Sequence, residues 1–196
     1  LYYYENGNGT EKGLVYCDGA YYFTQFKGEV VRNQEFYAWQ TNCDLPTGMY
    51  EFGVDGKMLN GIVEKDGELY YYENGRGAEK GLFEYEGGYY YSEYAGKLRT
   101  NEYFYAWNTN CDLPAGMYEF GADGKMLDGI VEKNGELYYY ENGNGVEKGL
   151  IYVDGYYYFS QASGKLVTNQ DFYVYNANGL LVETTYTFDV NGRIVG

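Results

Sequence analysis

Short hydrophobic and aromatic segments alternate along the whole chain with glycine-containing turns. In residues 62–81, a strand-like segment at 62–65 is followed by Asp66-Gly67 and then by an aromatic segment at 69–72. Asp-Gly between two such segments favours a type I′ turn and predicts an antiparallel β-hairpin. The same arrangement recurs around Asp18-Gly19, Glu86-Gly87, Asn134-Gly135 and Asp154-Gly155. The pattern predicts an all-β chain, since helix formers never run long enough for a helix.

These hairpins lie within a longer internal repeat. The segment ENGNGTEKGL at Glu5 returns as ENGRGAEKGL at Glu73 and as ENGNGVEKGL at Glu141, which gives a period of 68 residues. Residues 35–72 and 103–140 are identical at 32 of 38 positions. Periods of this kind are typical of arrays in which each unit buries its hydrophobic face against its neighbours.

Each period divides into three hairpin units of 20, 21 and 27 residues. Because a lone hairpin is marginally stable at best, we expect the units to stack into an elongated β-hairpin solenoid, a single domain over residues 1–196. The predicted units are 1–13 (partial), 14–34, 35–61, 62–81, 82–102, 103–129, 130–149, 150–170 and an atypical cap at 171–196. Since Leu1 aligns with Leu69, the chain is expected to begin within a hairpin and to continue upstream into further domains.

The charge of the chain narrows the range of partners. It carries 29 acidic and 14 basic residues, for a formal net charge of -15. Nucleic acid, heparin-like polymers and anionic membranes all need basic patches, so we expect none of them as partners. No run approaches the roughly 20 apolar residues of a transmembrane helix, so membrane insertion is not expected either. A neutral or cationic ligand is more consistent with this negative charge than an anionic one.

The sequence offers no candidate catalytic or metal-binding group. Without any histidine, Ser-His-Asp catalysis and the common zinc sites are excluded. Cys17, Cys43 and Cys111 are odd in number and lack a CxxC spacing, so we expect free thiols. No calcium-loop motif is present, and nothing singles out two carboxylates for glycoside hydrolysis. We therefore expect neither an enzyme nor a cofactor.

The two tryptophans mark the best candidate binding site. Trp39 and Trp107 lie in the 27-residue units, in FYAWQTNCDLPTG and FYAWNTNCDLPAG, with polar side chains close behind that could orient a sugar hydroxyl. The predicted site residues are Tyr37, Trp39, Asn42 and Asp44, and their copies Tyr105, Trp107, Asn110 and Asp112. A tryptophan before an inserted loop is equally consistent with a core residue that the loop covers.

The unit, a hydrophobic strand, Asp/Asn-Gly, Tyr-Tyr-Tyr/Phe and Gly-Lys-Leu/Met, resembles the cell-wall-binding repeat superfamily. That group includes choline-binding repeats, glucan-binding repeats and the C-terminal repeats of large clostridial toxins. The resemblance implies about three hairpins per superhelical turn. It also implies a non-catalytic carbohydrate-binding or cell-wall-binding module, extracellular or on the surface of a Gram-positive-type bacterium.

One departure from that pattern bears on the ligand. Choline-binding repeats carry Gly-Trp at the unit boundary, where tryptophans help to cage the ammonium by cation–π attraction. The corresponding pairs here are Gly13-Leu14, Gly61-Ile62, Gly81-Leu82, Gly129-Ile130 and Gly149-Leu150. A glycan is therefore favoured over choline. The alternative function is a structural spacer or protein-interaction stalk without a ligand site.

Overall fold

A computed structural model describes residues 1–195, and these form short β-strands connected by tight turns. The chain divides into two compact units, each of which contains several of the hairpin units described above. The first unit contains Leu1–Phe83 and Tyr91–Arg99, and the second unit contains Glu84–Tyr90 and Thr100–Gly196. In the first unit the strands are β1 (Tyr4–Glu5), β2 (Asn8–Gly9), β3 (Gly13–Cys17), β4 (Ala20–Thr24), β5 (Gln34–Ala38), β6 (Thr41–Asn42), β7 (Gly48–Phe52), β8 (Gly61–Lys65), β9 (Glu68–Glu73) and β10 (Arg76–Gly77). Strands β11 (Gly81–Tyr85) and β12 (Gly88–Ser92) contain residues of both units. In the second unit they are β13 (Glu102–Ala106), β14 (Gly116–Phe120), β15 (Gly129–Lys133), β16 (Glu136–Glu141), β17 (Asn144–Gly145), β18 (Gly149–Val153), β19 (Tyr156–Ser160), β20 (Gln170–Tyr173) and β21 (Thr185–Phe188).

The strands pair as small antiparallel sheets, most of them single hairpins. In the first unit β3 pairs with β4, β5 with β7 and β8 with β9, while β6 joins β3 in parallel and β10 joins β9. In the second unit β13 pairs with β14, β15 with β16, β18 with β19 and β20 with β21. Three single 3-10 turns, at Phe26–Gly28, Tyr94–Gly96 and Ala162–Gly164, are the only helical segments within residues 1–195. The all-β fold of many antiparallel hairpins predicted from the sequence is confirmed.

The turn chemistry accounts for the hairpin register. Lys65 pairs with Glu68, which leaves the two-residue loop Asp66-Gly67. Both loop residues have positive φ, 54° and 78°, as a type I′ turn requires. The other four predicted turn dipeptides also have positive φ at both positions. Because this turn has the same twist as the strands it joins, it fixes which residues face each other.

Each unit has its own hydrophobic core, which several hairpins share. In the first unit the core contains Leu14, Phe23, Ala38, Tyr50 and Phe52, from β3, β4, β5 and β7. A second cluster, in the second unit, contains Leu150, Phe159, Val167, Val174 and Phe188. Burying one such Phe contributes roughly 1.5–3 kcal/mol. Hairpins that are marginal alone therefore stabilise one another within a unit.

Backbone contacts also join hairpins within a unit. The Met58 N–H donates to the Tyr21 carbonyl and the Leu98 N–H donates to the Leu69 carbonyl, both at 2.8 Å. The 3-10 turn at Tyr94–Gly96 lies so close to Gly77 that a Cβ there would lie 1.9 Å from the Ala95 carbonyl oxygen. Glycine is therefore required at this position. The arrangement of all hairpins as one solenoid with about three per turn stays a prediction.

Candidate functional site

Trp39 lies at the margin of the first-unit core. Its ring centroid is 4.9 Å from that of Phe23, which is fully buried, and 5.3 Å from that of Phe36. The side chain is nevertheless 50% exposed. Part of the Trp39 ring thus packs on two phenylalanines, and the rest of the ring is open to solvent. This arrangement differs from a core residue that a loop covers.

The two other copies of this position are similar. Trp107 is 61% exposed, with its ring centroid 5.1 Å from that of Phe104. Tyr175 follows 68 residues later, is 51% exposed, and packs on Phe159 at 5.1 Å. We call Trp39, Trp107 and Tyr175 the aromatic platforms. Tyr175 was not among the site residues predicted from the sequence, although the third copy of the 68-residue repeat places it at the position of Trp39 and Trp107.

Backbone hydrogen bonds set the position of each platform. After β5 the chain bends so that the Gln40 carbonyl accepts a hydrogen bond from Leu14 N at 2.7 Å. This close approach requires Gly13, which has a φ of 71° and where a Cβ would lie 2.3 Å from the Gln40 oxygen. The equivalent bond in the second unit runs from Leu150 N to the Asn176 carbonyl at 2.8 Å. The glycine at the boundary between two hairpin units is therefore needed for the loop after each platform to approach the neighbouring strand.

Asn42 and Asp44, predicted to orient a ligand, hold the loop beside Trp39. The Asn42 amide donates to the Lys12 carbonyl at 2.5 Å. The Tyr21 hydroxyl donates to Asp44 Oδ1 at 2.7 Å, and this bond is the main cause that raises the pKa of Tyr21 to about 12. Both groups therefore already have partners within the chain.

The same contacts recur in the second unit. The Tyr89 hydroxyl donates to Asp112 Oδ1 at 3.1 Å. The Asn178 amide, in the third copy, donates to the Lys148 carbonyl at 2.5 Å. Asn110 and Asp112 are both exposed. The polar residues after each platform thus form a repeated support for its loop.

Tyr37 and Trp39 lie on different surfaces. Tyr37 is exposed and pairs across the sheet with Met49, whereas Phe36 and Ala38 on either side point to the core. Trp39 packs on Phe36 instead. In the second unit, Tyr105 pairs with Met117 in the same way. Each predicted set of residues is therefore split between a platform and a separate Tyr–Met pair.

The positions that carry tryptophan in choline-binding repeats are part of the core. Leu14, Leu82 and Leu150, which follow the boundary glycines, are fully buried. Ile62 and Ile130 are half-buried. These side chains are aliphatic and cannot provide the π face that an ammonium cage needs.

The described residues show no arrangement for metal-dependent chemistry. Within residues 1–195, no group of three or more His, Cys, Asp or Glu side chains could hold a metal ion. Cys17, Cys43 and Cys111 are half-buried free thiols, and burial raises the pKa of Cys17. No helix in this part of the chain is long and apolar enough to cross a membrane.

Fold and site together define a class of protein: arrays of antiparallel β-hairpins that expose an aromatic side chain in each long repeat. No protein-family model matches this chain, and neither does any curated protein. Solved structures do match. Choline-binding protein F from Streptococcus pneumoniae is 24% identical over all of this chain, with a TM-score of 0.42. The chain spans 61% of the length of that structure.

Two further similar structures come from the same organism. The choline-binding domain of CbpL is 22% identical over 95% of this chain and 98% of that one, with a TM-score of 0.38. The modular autolysin LytC, solved with a synthetic peptidoglycan ligand, is 14% identical over all of this chain and 46% of its own, with a TM-score of 0.42. Two of these three structures are described as choline-binding, in line with the resemblance predicted from the repeat pattern. Since these TM-scores are below 0.5, they do not carry a ligand over to this chain.

Proposed function

We propose that this chain is a non-catalytic module that attaches to a glycan or cell-wall polymer through its aromatic platforms. One observation carries the proposal: every copy of the repeat exposes a large aromatic ring at the same position, supported underneath by phenylalanine. An exposed ring with a fixed orientation offers a flat apolar surface for the C–H face of a pyranose. The proposed setting is the surface of a Gram-positive-type bacterium.

A neutral glycan suits the platforms better than choline does. The formal net charge of -15 is unfavourable for binding polyanions. The boundary leucines are buried and aliphatic, so they contribute nothing to an ammonium cage.

Each platform by itself offers a small contact area, so we expect weak binding to a short oligosaccharide. A polymer that engages more than one platform gains from effective concentration, which raises avidity by orders of magnitude without new contacts. Retention on purified cell walls should therefore be much stronger than affinity for the soluble fragments released from the same walls.

The test compares retention on cell walls and on a glycan array for wild type and platform variants. Trp39→Ala, Trp107→Ala and Tyr175→Ala should each lower retention, and the triple variant should lose most of it. Trp39→Tyr should retain binding, because tyrosine occupies the same position in the third copy. Tyr16→Ala, which removes a ring that is 59% exposed elsewhere, is the matched control.

Thermal unfolding shows whether each variant keeps its fold. If folded variants lacking all three platforms are retained as well as wild type, the platforms are not the binding site. If wild type binds no wall preparation and no glycan, the spacer function is correct instead.

A further inference from the structure

An open groove in the first unit is separate from the platforms. It has a volume of about 730 Å³ and lies between the outer face of the β5–β7 hairpin and the following strands. We call it the Tyr94 groove. Its walls include Glu35, Met49, Tyr70, Arg76, Glu79 and Tyr94. It therefore combines aromatic rings, a thioether and charged groups of both signs.

Two glutamates face each other at this groove. Glu35 and Glu51 are directly opposite in the β5–β7 register, where like charges are destabilising. Glu51 is compensated, since it binds Lys65 Nζ at 2.5 Å and accepts the Tyr72 hydroxyl at 2.6 Å. No ion pair or hydrogen bond joins the Glu35 side chain to another of the described residues. Glu35 therefore remains as an exposed carboxylate without a partner, opposite a glutamate that already has two.

Other groups in the groove suit a ligand that is both cationic and polar. The Glu79 side chain also has no ion pair among the described residues. The Tyr94 ring is 85% exposed. The Arg76 Nε–H donates to the Met49 carbonyl at 3.2 Å, and this bond holds the Arg76 guanidinium beside the exposed Met49 side chain. The guanidinium has further N–H donors. The groove thus offers two separate anions, a fixed donor and exposed apolar surface.

The second unit shows that the fold does not require these groups. The equivalents of Glu35, Arg76 and Tyr94 are Tyr103, Asn144 and Ala162. There the Tyr103 hydroxyl donates to Asn144 Oδ1 at 3.2 Å, so the two positions satisfy each other. The same hairpin scaffold therefore forms with an internally bonded pair, whereas the first unit has an unpaired carboxylate, Glu35, at this position.

We propose that the Tyr94 groove binds an extended basic segment of a partner polypeptide. Two lysine or arginine side chains of that segment pair with Glu35 and Glu79, and their aliphatic stems lie on Tyr94 and Met49. A backbone carbonyl of the segment accepts a hydrogen bond from Arg76. A small amine would use only one of the carboxylates and none of the Arg76 donors, so the two anions and the donor together favour a peptide. The net charge of -15 draws a basic partner toward the surface.

The probe is a fluorescein-labelled peptide, Lys-Leu-Lys-Leu-Lys, titrated by fluorescence anisotropy at low and at high salt. The neutral peptide Gln-Leu-Gln-Leu-Gln and choline chloride are the control ligands. Calorimetry on the unlabelled peptide gives the stoichiometry. The whole chain is used throughout, and thermal unfolding confirms the fold of each variant.

We expect one peptide per chain and weaker binding at high salt. Glu35→Gln should weaken binding about 1.4- to fivefold, since an exposed ion pair contributes about 0.2–1 kcal/mol and 1.36 kcal/mol is a factor of ten. The variant Glu35→Tyr/Arg76→Asn/Tyr94→Ala, which copies the second unit, should weaken binding at least tenfold. The converse variant, Tyr103→Glu/Asn144→Arg/Ala162→Tyr, should bind two peptides.

Two results would overturn the proposal. One is that wild type does not bind the peptide, whether or not it binds choline. The other is that wild type and the variant Glu35→Tyr/Arg76→Asn/Tyr94→Ala bind the peptide equally well. Trp39→Ala should leave peptide binding unchanged. The variant Glu35→Tyr/Arg76→Asn/Tyr94→Ala should leave retention on cell walls unchanged. The two binding functions can therefore fail independently.

Discussion

A buried hydroxyl recurs every 68 residues and offers a direct test of how the hairpins are held together. Thr24, Ser92 and Ser160 are all fully buried. The Ser92 Oγ accepts a hydrogen bond from the Lys80 N–H at 2.9 Å and donates one to the Ala78 carbonyl at 2.8 Å. It thus connects the segment after β10 to the end of β12, within the first unit. Ser92→Ala removes both hydrogen bonds and almost no volume.

The expected cost follows from these two bonds. A typical hydrogen bond contributes about 1 kcal/mol net, and the cost rises when a buried partner is left unsatisfied. Losing both should lower the free energy of unfolding by about 2–3 kcal/mol. For a chain of this size that corresponds to a Tm lower by roughly 4–12 °C. Ser92→Thr should lose less than half as much, because threonine fills the equivalent position in the first copy.

Thermal unfolding followed by circular dichroism measures the change in Tm. Since two compact units need not unfold in one transition, hydrogen exchange at the amide of residue 80 should be measured as well. We expect faster exchange at this amide in Ser92→Ala and near wild-type exchange in Ser92→Thr. If Ser92→Ala unfolds within 1 °C of wild type, or Ser92→Thr is the less stable variant, the two hydrogen bonds do not contribute the expected stability.

Three further predictions concern single positions. Gly77→Ala places a Cβ 1.9 Å from a backbone oxygen, so we expect the free energy of unfolding to fall by more than about 2 kcal/mol. Chemical denaturation measures this change, and an unchanged midpoint would contradict the close approach. Ala95→Gly should raise the free energy of unfolding by roughly 0.5–1 kcal/mol, because Ala95 has a strained φ of 58° and removing that strain outweighs the entropic cost of glycine. A lower Tm would show that the entropic cost is the larger of the two. Hydrogen bonding to Lys165 lowers the pKa of Glu136, so its stabilising contribution is present above the unfolded pKa of about 4.3 and lost as pH falls through the folded pKa. Glu136→Gln should therefore be slightly less stable than wild type at pH 7 and equal to it in strong acid, as thermal unfolding across pH would show; a difference that persists in acid would rule out the ion pair as its cause.

Local chemistry was sufficient to predict the hairpins. The turn at Asp66-Gly67 depends on two adjacent residues that tolerate positive φ, and the pairing of Lys65 with Glu68 follows from the turn. These interactions act within a few residues of the chain, so the sequence contains all the information they need. The 68-residue period likewise identified Trp39 and Trp107 as equivalent positions.

The roles of individual side chains were decided by contacts between distant segments. Asn42 supports a loop because the Lys12 carbonyl lies beside it, and Trp39 is exposed because Phe23 and Phe36 fill the space beneath it. The composition of the Tyr94 groove depends in the same way on strands that are far apart in sequence. The sequence by itself determined the strands, turns and repeat, since these depend on neighbouring residues. Only the tertiary structure decided which polar groups are already bonded and which rings remain open to a ligand, because burial depends on the segments that pack together.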